Sequence, residues 1–208
     1  MITSWRNNFK VPAPSYFGFI QLSTWCVAGD PIPLLREAQM AALALGGVGY
    51  AVNADHGAGC NIHPPQKQNC GFRLAASALD IQYGQTVPWK SPSYKSAVAG
   101  ASSATVTLND VGPAGLVLIP SANAGTVNCT ASAGSCVWAS LQFDDAAKTW
   151  VNASVALTSD AQGIVLSAPP PAGSSTVIAT SYAFGAIPFM TVYRADADLP
   201  VREWMESV

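Results

Sequence analysis

The residues best suited to chemistry lie in a glycine-rich segment between a strand-like run and a helix-like pattern. Asp55 follows the run at 50–53, and His63 stands just before Pro64 and Pro65. An aspartate that holds the imidazole tautomer and stabilises the imidazolium forms, with that histidine, two thirds of a hydrolase triad. We therefore predict that His63 and Asp55 are catalytic. The simpler alternatives are an Asx turn at Asp55 and a loop histidine bonded to backbone.

The sequence offers no serine in the position that such a pair would need. There is no G-x-S-x-G segment, and the nearest approach, GASSA at 100–104, is not in a strand-to-helix turn. Cys60 or Cys70 is formally possible as a nucleophile, although Cys70 falls within a predicted helix. The pattern therefore predicts the histidine and the acid of a triad without its nucleophile.

A metal site is the competing interpretation of the same segment. Asp55, His56, Cys60 and His63 are all possible zinc ligands. Their spacing, D-H-x3-C-x2-H, matches no metal-binding motif with a known physical rationale. The glycines between them would also leave the ligands poorly positioned. We predict no metal and no cofactor.

Composition excludes several classes of protein. Of 208 residues, 50% are hydrophobic and 11% are charged, which is enough apolar material for a core. The net charge of −2 argues against a nucleic-acid partner, because phosphate binding needs a basic surface. The longest apolar stretch, at about 40–52, is too short to span a bilayer, so no membrane is expected.

Cysteines and glycosylation sequons favour an oxidising compartment, although the N-terminus has no signal-peptide pattern. The sequons are at Asn128 (N-C-T) and Asn152 (N-A-S), which favours a glycoprotein. Cys129 and Cys136 flank a short segment of small residues, so we predict a hairpin disulfide, with two free thiols as the open alternative. If the protein is secreted, the missing leader predicts that its true N-terminus is elsewhere.

The elements that must position Asp55 and His63 alternate between strand and helix. Strands are predicted at 16–22 and 48–53, and helices at 31–45 and 64–83. This order predicts a parallel sheet with helices packed on it. Leu74, Ala78 and Ile81 are among the residues that give the second helix an apolar face.

The second half of the chain changes to short β-like runs separated by turn residues, which predicts a β-sandwich. The runs are at 104–108, 115–119, 136–143, 150–157, 163–167, 176–184 and 189–193. We therefore predict an α/β part at 1–96, a linker at 97–103 and a β-sandwich-like C-terminal domain at 104–208.

Three stretches together resemble the sialate O-acetylesterase family. They are LLREAQ at 34–39, NIHPPQKQNCGFRLA at 61–75, and 177–204, which is similar to that family's C-terminal strands and closing loop. The resemblance implies a serine esterase of the SGNH/GDSL-like class, with an α/β sheet and appended β-domains. It also implies that His63 is the catalytic histidine, that Asp55 is its acid partner, and that the protein is secreted or lysosomal.

Two departures from the family pattern limit what the resemblance implies. Family members carry their serine in a G-Q-S-N-like block and oxyanion-hole groups in a Q-G-E-like block, and this sequence has neither. The chain therefore resembles only the C-terminal part of such an esterase, with an incomplete parallel sheet. We expect it to be inactive alone, and to act on O-acetyl esters of sialic acids or related sugars once completed. The alternative is a non-catalytic module that binds glycans or a protein.

Overall fold

The structure is a computed structural model that describes residues 1–11, 15–26, 31–121, 123 and 136–208, with only the backbone of 136 and 137. Its α-helices are Ile2–Phe9 (α1), Ile32–Met40 (α2) and Gln68–Tyr83 (α3), and its 3-10 helices are Ala41–Ala44 and Ala54–His56. Its strands are Phe17–Ile20 (β1), Val48–Ala51 (β2), Ser93–Ala99 (β3), Ser103–Asn109 (β4), Leu116–Leu118 (β5), Cys136–Val137 (β6), Ala139–Phe143 (β7), Trp150–Asn152 (β8), Ser154–Leu157 (β9), Gly163–Ser167 (β10), Val177–Tyr182 (β11), Ile187–Pro188 (β12), Val192–Arg194 (β13), Leu199–Pro200 (β14) and Trp204–Ser207 (β15).

The N-terminal part is built on two parallel strands, as predicted. β1 pairs with β2 in register from Phe17 opposite Val48 to Ile20 opposite Ala51. α3 lies directly against this pair, because Gly49 leaves space for it: a Cβ on Gly49 would come 2.7 Å from the Ser77 Oγ. The order strand, helix, strand, helix is therefore confirmed for this part of the chain.

Local sequence explains where the two longer helices begin and end. Pro33 lies in the first turn of α2, where a missing N–H costs no hydrogen bond. α3 begins at Gln68, four residues later than predicted. Each ring of the Pro64-Pro65 pair disfavours the helical conformation in the residue immediately before it, His63 and Pro64, which delays the helix. α3 ends at Gly84, whose φ of +67° closes the last turn.

The C-terminal part contains two four-stranded antiparallel sheets that face each other. Their strand orders are β3-β4-β10-β9 and β15-β11-β7-β8. Alternate residues of β4 and β7 are buried, with Val106, Leu141 and Phe143 fully inside. This period of two is typical of strands that pack one face on a core, so the β-rich C-terminal part is confirmed. Smaller sheets pair β12 with β6 and place β13 between β14 and β5.

Several element boundaries differ from the sequence-based prediction. The predicted run at 136–143 breaks at Trp138, and the run at 150–157 breaks at Ala153. The segment predicted as a linker, 97–103, forms the end of β3 and the turn into β4. Its small side chains are typical of a connection, but an edge strand is held by backbone pairing and needs no large side chains. The division into two domains stays a prediction.

The hydrophobic core runs across the two parts of the chain. Val52 and Ala54, which follow β2, belong to one buried cluster with Met190 and Val192. Among the described residues, no helix has both the length and the apolar character needed to cross a membrane.

The Tyr182 hydroxyl makes buried hydrogen bonds inside the core of the C-terminal part. It accepts hydrogen bonds from the N–H groups of Thr191 and Val192, both at 3.0 Å. Burial raises the pKa of Tyr182 to about 12, so the hydroxyl stays neutral. We predict that Tyr182→Phe lowers the free energy of unfolding by about 1–3 kcal/mol, because it strands two N–H donors.

Urea unfolding followed by circular dichroism measures this change. The control is Tyr94→Phe, since the Tyr94 hydroxyl makes one long contact, 3.4 Å to the Ser207 carbonyl, near solvent. Equal unfolding midpoints for the two variants would contradict the prediction.

Candidate functional site

Asp55 is the centre of a buried polar network at the carboxyl end of β2. Its carboxylate is fully buried in the 3-10 turn that follows the strand. Arg73 of α3 donates to both oxygens, at 2.8 Å to Oδ1 and 2.7 Å to Oδ2. The Tyr193 hydroxyl of β13 donates to Oδ2 at 2.9 Å. One carboxylate thus joins β2, α3 and β13.

The partners of Asp55 hold their protons firmly. Burial alone would lower the pKa of Arg73, but hydrogen bonds and charge attraction to Asp55 outweigh it and raise the pKa. Burial, and then the charge of Asp55, raise the pKa of Tyr193. Arg73 also donates to the Val52 carbonyl at 2.9 Å and to the Asp198 carbonyl at 2.7 Å. A permanent cation and a neutral hydroxyl therefore fix this carboxylate.

His56 is the histidine that the structure places beside Asp55. The His56 Nε2 lies 3.4 Å from the Asp55 Oδ2, and 18% of the His56 side chain is exposed. The sequence suggested His56 only as one member of the competing metal set. Its position gives the site a second imidazole that could carry a proton.

His63 lies further along the same loop and is exposed. Its backbone N–H donates to the Asn61 Oδ1 at 3.0 Å. Within the part of the chain that the structure describes, no hydrogen bond or ion pair joins the His63 ring to Asp55. The structure thus keeps both predicted residues on the loop after β2 but does not bring them into contact.

A disulfide between Cys26 and Cys60 changes the role of Cys60. A bonded sulfur is neither a thiolate ligand nor a nucleophile, so the competing zinc set and the Cys60 nucleophile are both wrong for this oxidised form. The bond fastens the loop that precedes His63 to the segment after β1. No group of three or more possible metal ligands occurs among the described residues.

The other cysteines fall into two groups. Cys70 is buried in α3, donates to the Asn53 Oδ1 at 2.7 Å, and has its pKa raised by burial, which makes it a poor nucleophile. The predicted Cys129–Cys136 bond lies outside the residues whose side chains are described, as does the sequon at Asn128.

Arg73 was missed because the buried face of α3 is polar. That face consists of Cys70, Arg73 and Ser77, while Leu74 of the predicted apolar face is only half-buried. The three residues recur at helical spacing, i, i+3 and i+7. That spacing was visible in the sequence, but a period built on polar residues is not normally taken as a core face.

A second buried network holds the carboxyl end of β1. Arg36 of α2 is fully buried and donates to the Gly185 carbonyl at 2.8 Å. Glu203 lies 4.0 Å from the Arg36 Nη1 and accepts from the Gln21 Nε2 at 2.7 Å. The carboxyl ends of β1 and β2 are therefore both tied to the C-terminal part by buried charged groups.

Comparison with known proteins supports the fold. No protein-family model matches the chain, and no curated protein is significantly similar to it. Among solved structures, it is similar to a carbohydrate acetylesterase from Xanthomonas citri, with a TM-score of 0.75 and 24% identity. The match covers 99% of this chain and 44% of that chain. The two proteins share a fold, and this chain spans less than half of the neighbour's length.

We predict that Asp55→Asn lowers the free energy of unfolding by about 3–5 kcal/mol, because Arg73 would lose its buried counter-ion and keep only the exposed Asp198 carboxylate. The matched control is Asp198→Asn, since the Asp198 side chain is 60% exposed and pairs with the same guanidinium. It should cost no more than about 1 kcal/mol. Chemical unfolding of both variants measures the difference, and a smaller cost for Asp55→Asn than for Asp198→Asn would rule out the proposed centre.

The disulfide gives a separate prediction. Cys26 and Cys60 are 34 positions apart, and closing such a loop stabilises a folded protein by about 2–4 kcal/mol. Thermal unfolding should therefore shift downwards when dithiothreitol is added. The double variant Cys26→Ser/Cys60→Ser should unfold at the lower temperature with or without the reductant. A reductant effect that persists in the double variant would point to another bond.

Proposed function

We propose that this chain is the histidine-bearing part of a carbohydrate acetylesterase of the SGNH-like, sialate O-acetylesterase type. The observation that carries the proposal is the loop after β2, which presents exposed His63 from a fold shared with a carbohydrate acetylesterase. Ligands of open α/β sheets bind beyond the carboxyl ends of parallel strands, and this loop occupies such a position.

His63 serves as the proton carrier in this proposal. An exposed imidazole can take the proton of an attacking hydroxyl and then return it to the departing sugar oxygen. His56, beside Asp55, is the second candidate for the same role. A direct contact between Asp55 and His63 would need a different arrangement of the loop. In the arrangement described, Asp55 supports the turn from which the loop departs.

In this proposal the nucleophile comes from residues outside the part described here. β1 pairs only with β2 among the described strands, so its other edge is open. An apolar groove of about 260 Å³ also lies between α1, β1 and α2, and is lined by Ile2, Phe17 and Phe19. Trp5 and Leu34 of the flanking helices are also about half exposed. An open strand edge and an exposed apolar groove are surfaces that a further strand or helix would cover.

We also propose that the protein works in an oxidising compartment, secreted or lysosomal. The Cys26–Cys60 bond supports this location, because such bonds persist where thiols are not kept reduced. The sequon residue Asn152 is exposed at the end of β8. Peptide mapping of the secreted protein without reductant, with and without a glycosidase, tests both features.

A chimaera tests the esterase proposal. This chain would replace the superposed portion of the Xanthomonas citri enzyme, and hydrolysis of an acetylated sugar would be measured by acetate release. We expect turnover that His63→Ala lowers by about three to four orders of magnitude, because the histidine serves both half-reactions. His56→Ala should retain more than a tenth of the rate.

The outcomes separate the alternatives. A folded chimaera that has no activity would contradict the proposal. A chimaera inactivated by His56→Ala but not by His63→Ala would transfer the proton-carrying role to His56. Circular dichroism of each variant shows whether it is folded.

The described chain by itself should be inactive. Incubated with 4-nitrophenyl acetate near pH 7, it should release nitrophenol no faster than its own His63→Ala variant. A rate that His63→Ala abolishes would show that the nucleophile is already present in this chain.

A further inference from the structure

A cavity of about 400 Å³ lies at the opposite end of β2 from Asp55. It opens where Gly47 and Val48 begin the strand, and the segment Trp89 to Ser93 and the C-terminal Arg202 form other parts of its wall. Its volume falls within the range of small-molecule sites. The catalytic proposal uses none of these residues.

The charged groups that line this cavity form no ion pair within the described chain. Lys90, Arg202 and Asp110 all line it, and none forms an ion pair with another described residue. The Arg202 Nε is buried and lacks a hydrogen-bond partner within the described chain. Two cations and one carboxylate give the cavity an excess positive charge with one acceptor beside it.

The aromatic side of the cavity is fixed by a hydrogen bond and a ring contact of Trp89. Trp89 is almost fully buried, its indole N–H donates to the Asp80 Oδ2 at 2.8 Å, and its ring meets Tyr50 edge-on at 5.7 Å. The Lys90 Nζ lies 5.5 Å from the Trp89 ring centre, and the Arg202 guanidinium lies 5.9 Å from that of Tyr50. Both cations are thus placed against aromatic rings, at distances typical of cation–π contacts.

We propose that this cavity binds a small hydroxylated carboxylate, of which an acidic sugar is the best fit. Lys90 and Arg202 would hold the carboxylate, since charge-assisted hydrogen bonds are the strongest available to it. Asp110 would accept from a hydroxyl group on a carbon of the ligand, which acetate and phosphate both lack. The apolar wall at Leu43 and Ile81 would contact the carbon face of the ring. The inference does not depend on the esterase proposal.

Calorimetric titration of the wild-type chain tests the site with D-glucuronate, D-glucose, acetate and inorganic phosphate as probes. We expect D-glucuronate to bind at least tenfold more tightly than the other three. Lys90→Gln and Arg202→Gln should each weaken that binding at least fivefold, because each removes a charged partner of the carboxylate. Lys95→Gln is the control, since Lys95 is exposed on β3 and does not line the cavity.

Nuclear magnetic resonance locates the binding independently of its strength. The Trp89 indole N–H signal, assigned with Trp89→Phe, should shift on addition of D-glucuronate and stay unchanged with D-glucose. Phosphate or acetate binding as tight as D-glucuronate, or equal losses in Lys95→Gln and Lys90→Gln, would overturn the proposal. So would the absence of D-glucuronate binding to the wild-type chain, whatever the result of the esterase assay.

Discussion

The bidentate pair between Asp55 and Arg73 is the interaction on which the rest of this structure depends. Two buried charges are stable only when each satisfies the other and both find further hydrogen bonds. Here the further bonds go to Tyr193, to the Val52 carbonyl and to the Asp198 carbonyl. The pair therefore fixes the end of β2, the position of α3 and the docking of β13 at once.

At the candidate site, the residue that supports the loop and the residue proposed to carry out the chemistry are different ones. Asp55 is held by donors on two sides and stays inside the protein, while His63 lies outside on the loop that Asp55 supports. The disulfide fastens the middle of that loop at Cys60, three residues before His63. The proposed proton carrier is therefore an exposed side chain on a loop that the disulfide fastens.

Much of the fold could be predicted from the sequence, because strand alternation, helix starts and helix ends depend on residues that are close together in the chain. The parallel strands around 17–20 and 48–51 and the helices that follow them were predicted from apolar runs, prolines and glycines. The alternation in β4 and β7 likewise indicated a sandwich. The edge strand β3 and the short strands β14 and β15 were missed, because their sequences carry little apolar alternation and backbone pairing, with β4, β13 and β11 respectively, is what holds them.

The site was less predictable, because its contacts join residues that are far apart in the sequence. Tyr193 reaches Asp55 across 138 positions, and Cys26 reaches Cys60 across 34. A single sequence identified Asp55 and His63 by type and spacing, but it did not indicate that Arg73 pairs with the buried carboxylate. His56, whose Nε2 lies 3.4 Å from the Asp55 carboxylate, is the next residue in the chain. Its proximity to Asp55 therefore follows from the sequence without any argument about spacing.

The hydrogen bond between Gln21 and Glu203 has a consequence for how the protein is made. The two residues are 182 positions apart, and both are buried in the finished fold. Ribosomes add about 5–20 residues per second, so about ten to forty seconds pass between the synthesis of the first residue and that of the second. Throughout that interval the end of β1 has no Glu203 to close over it. The end of β1 therefore stays uncovered until the segment around Glu203 has left the ribosome and can dock against it.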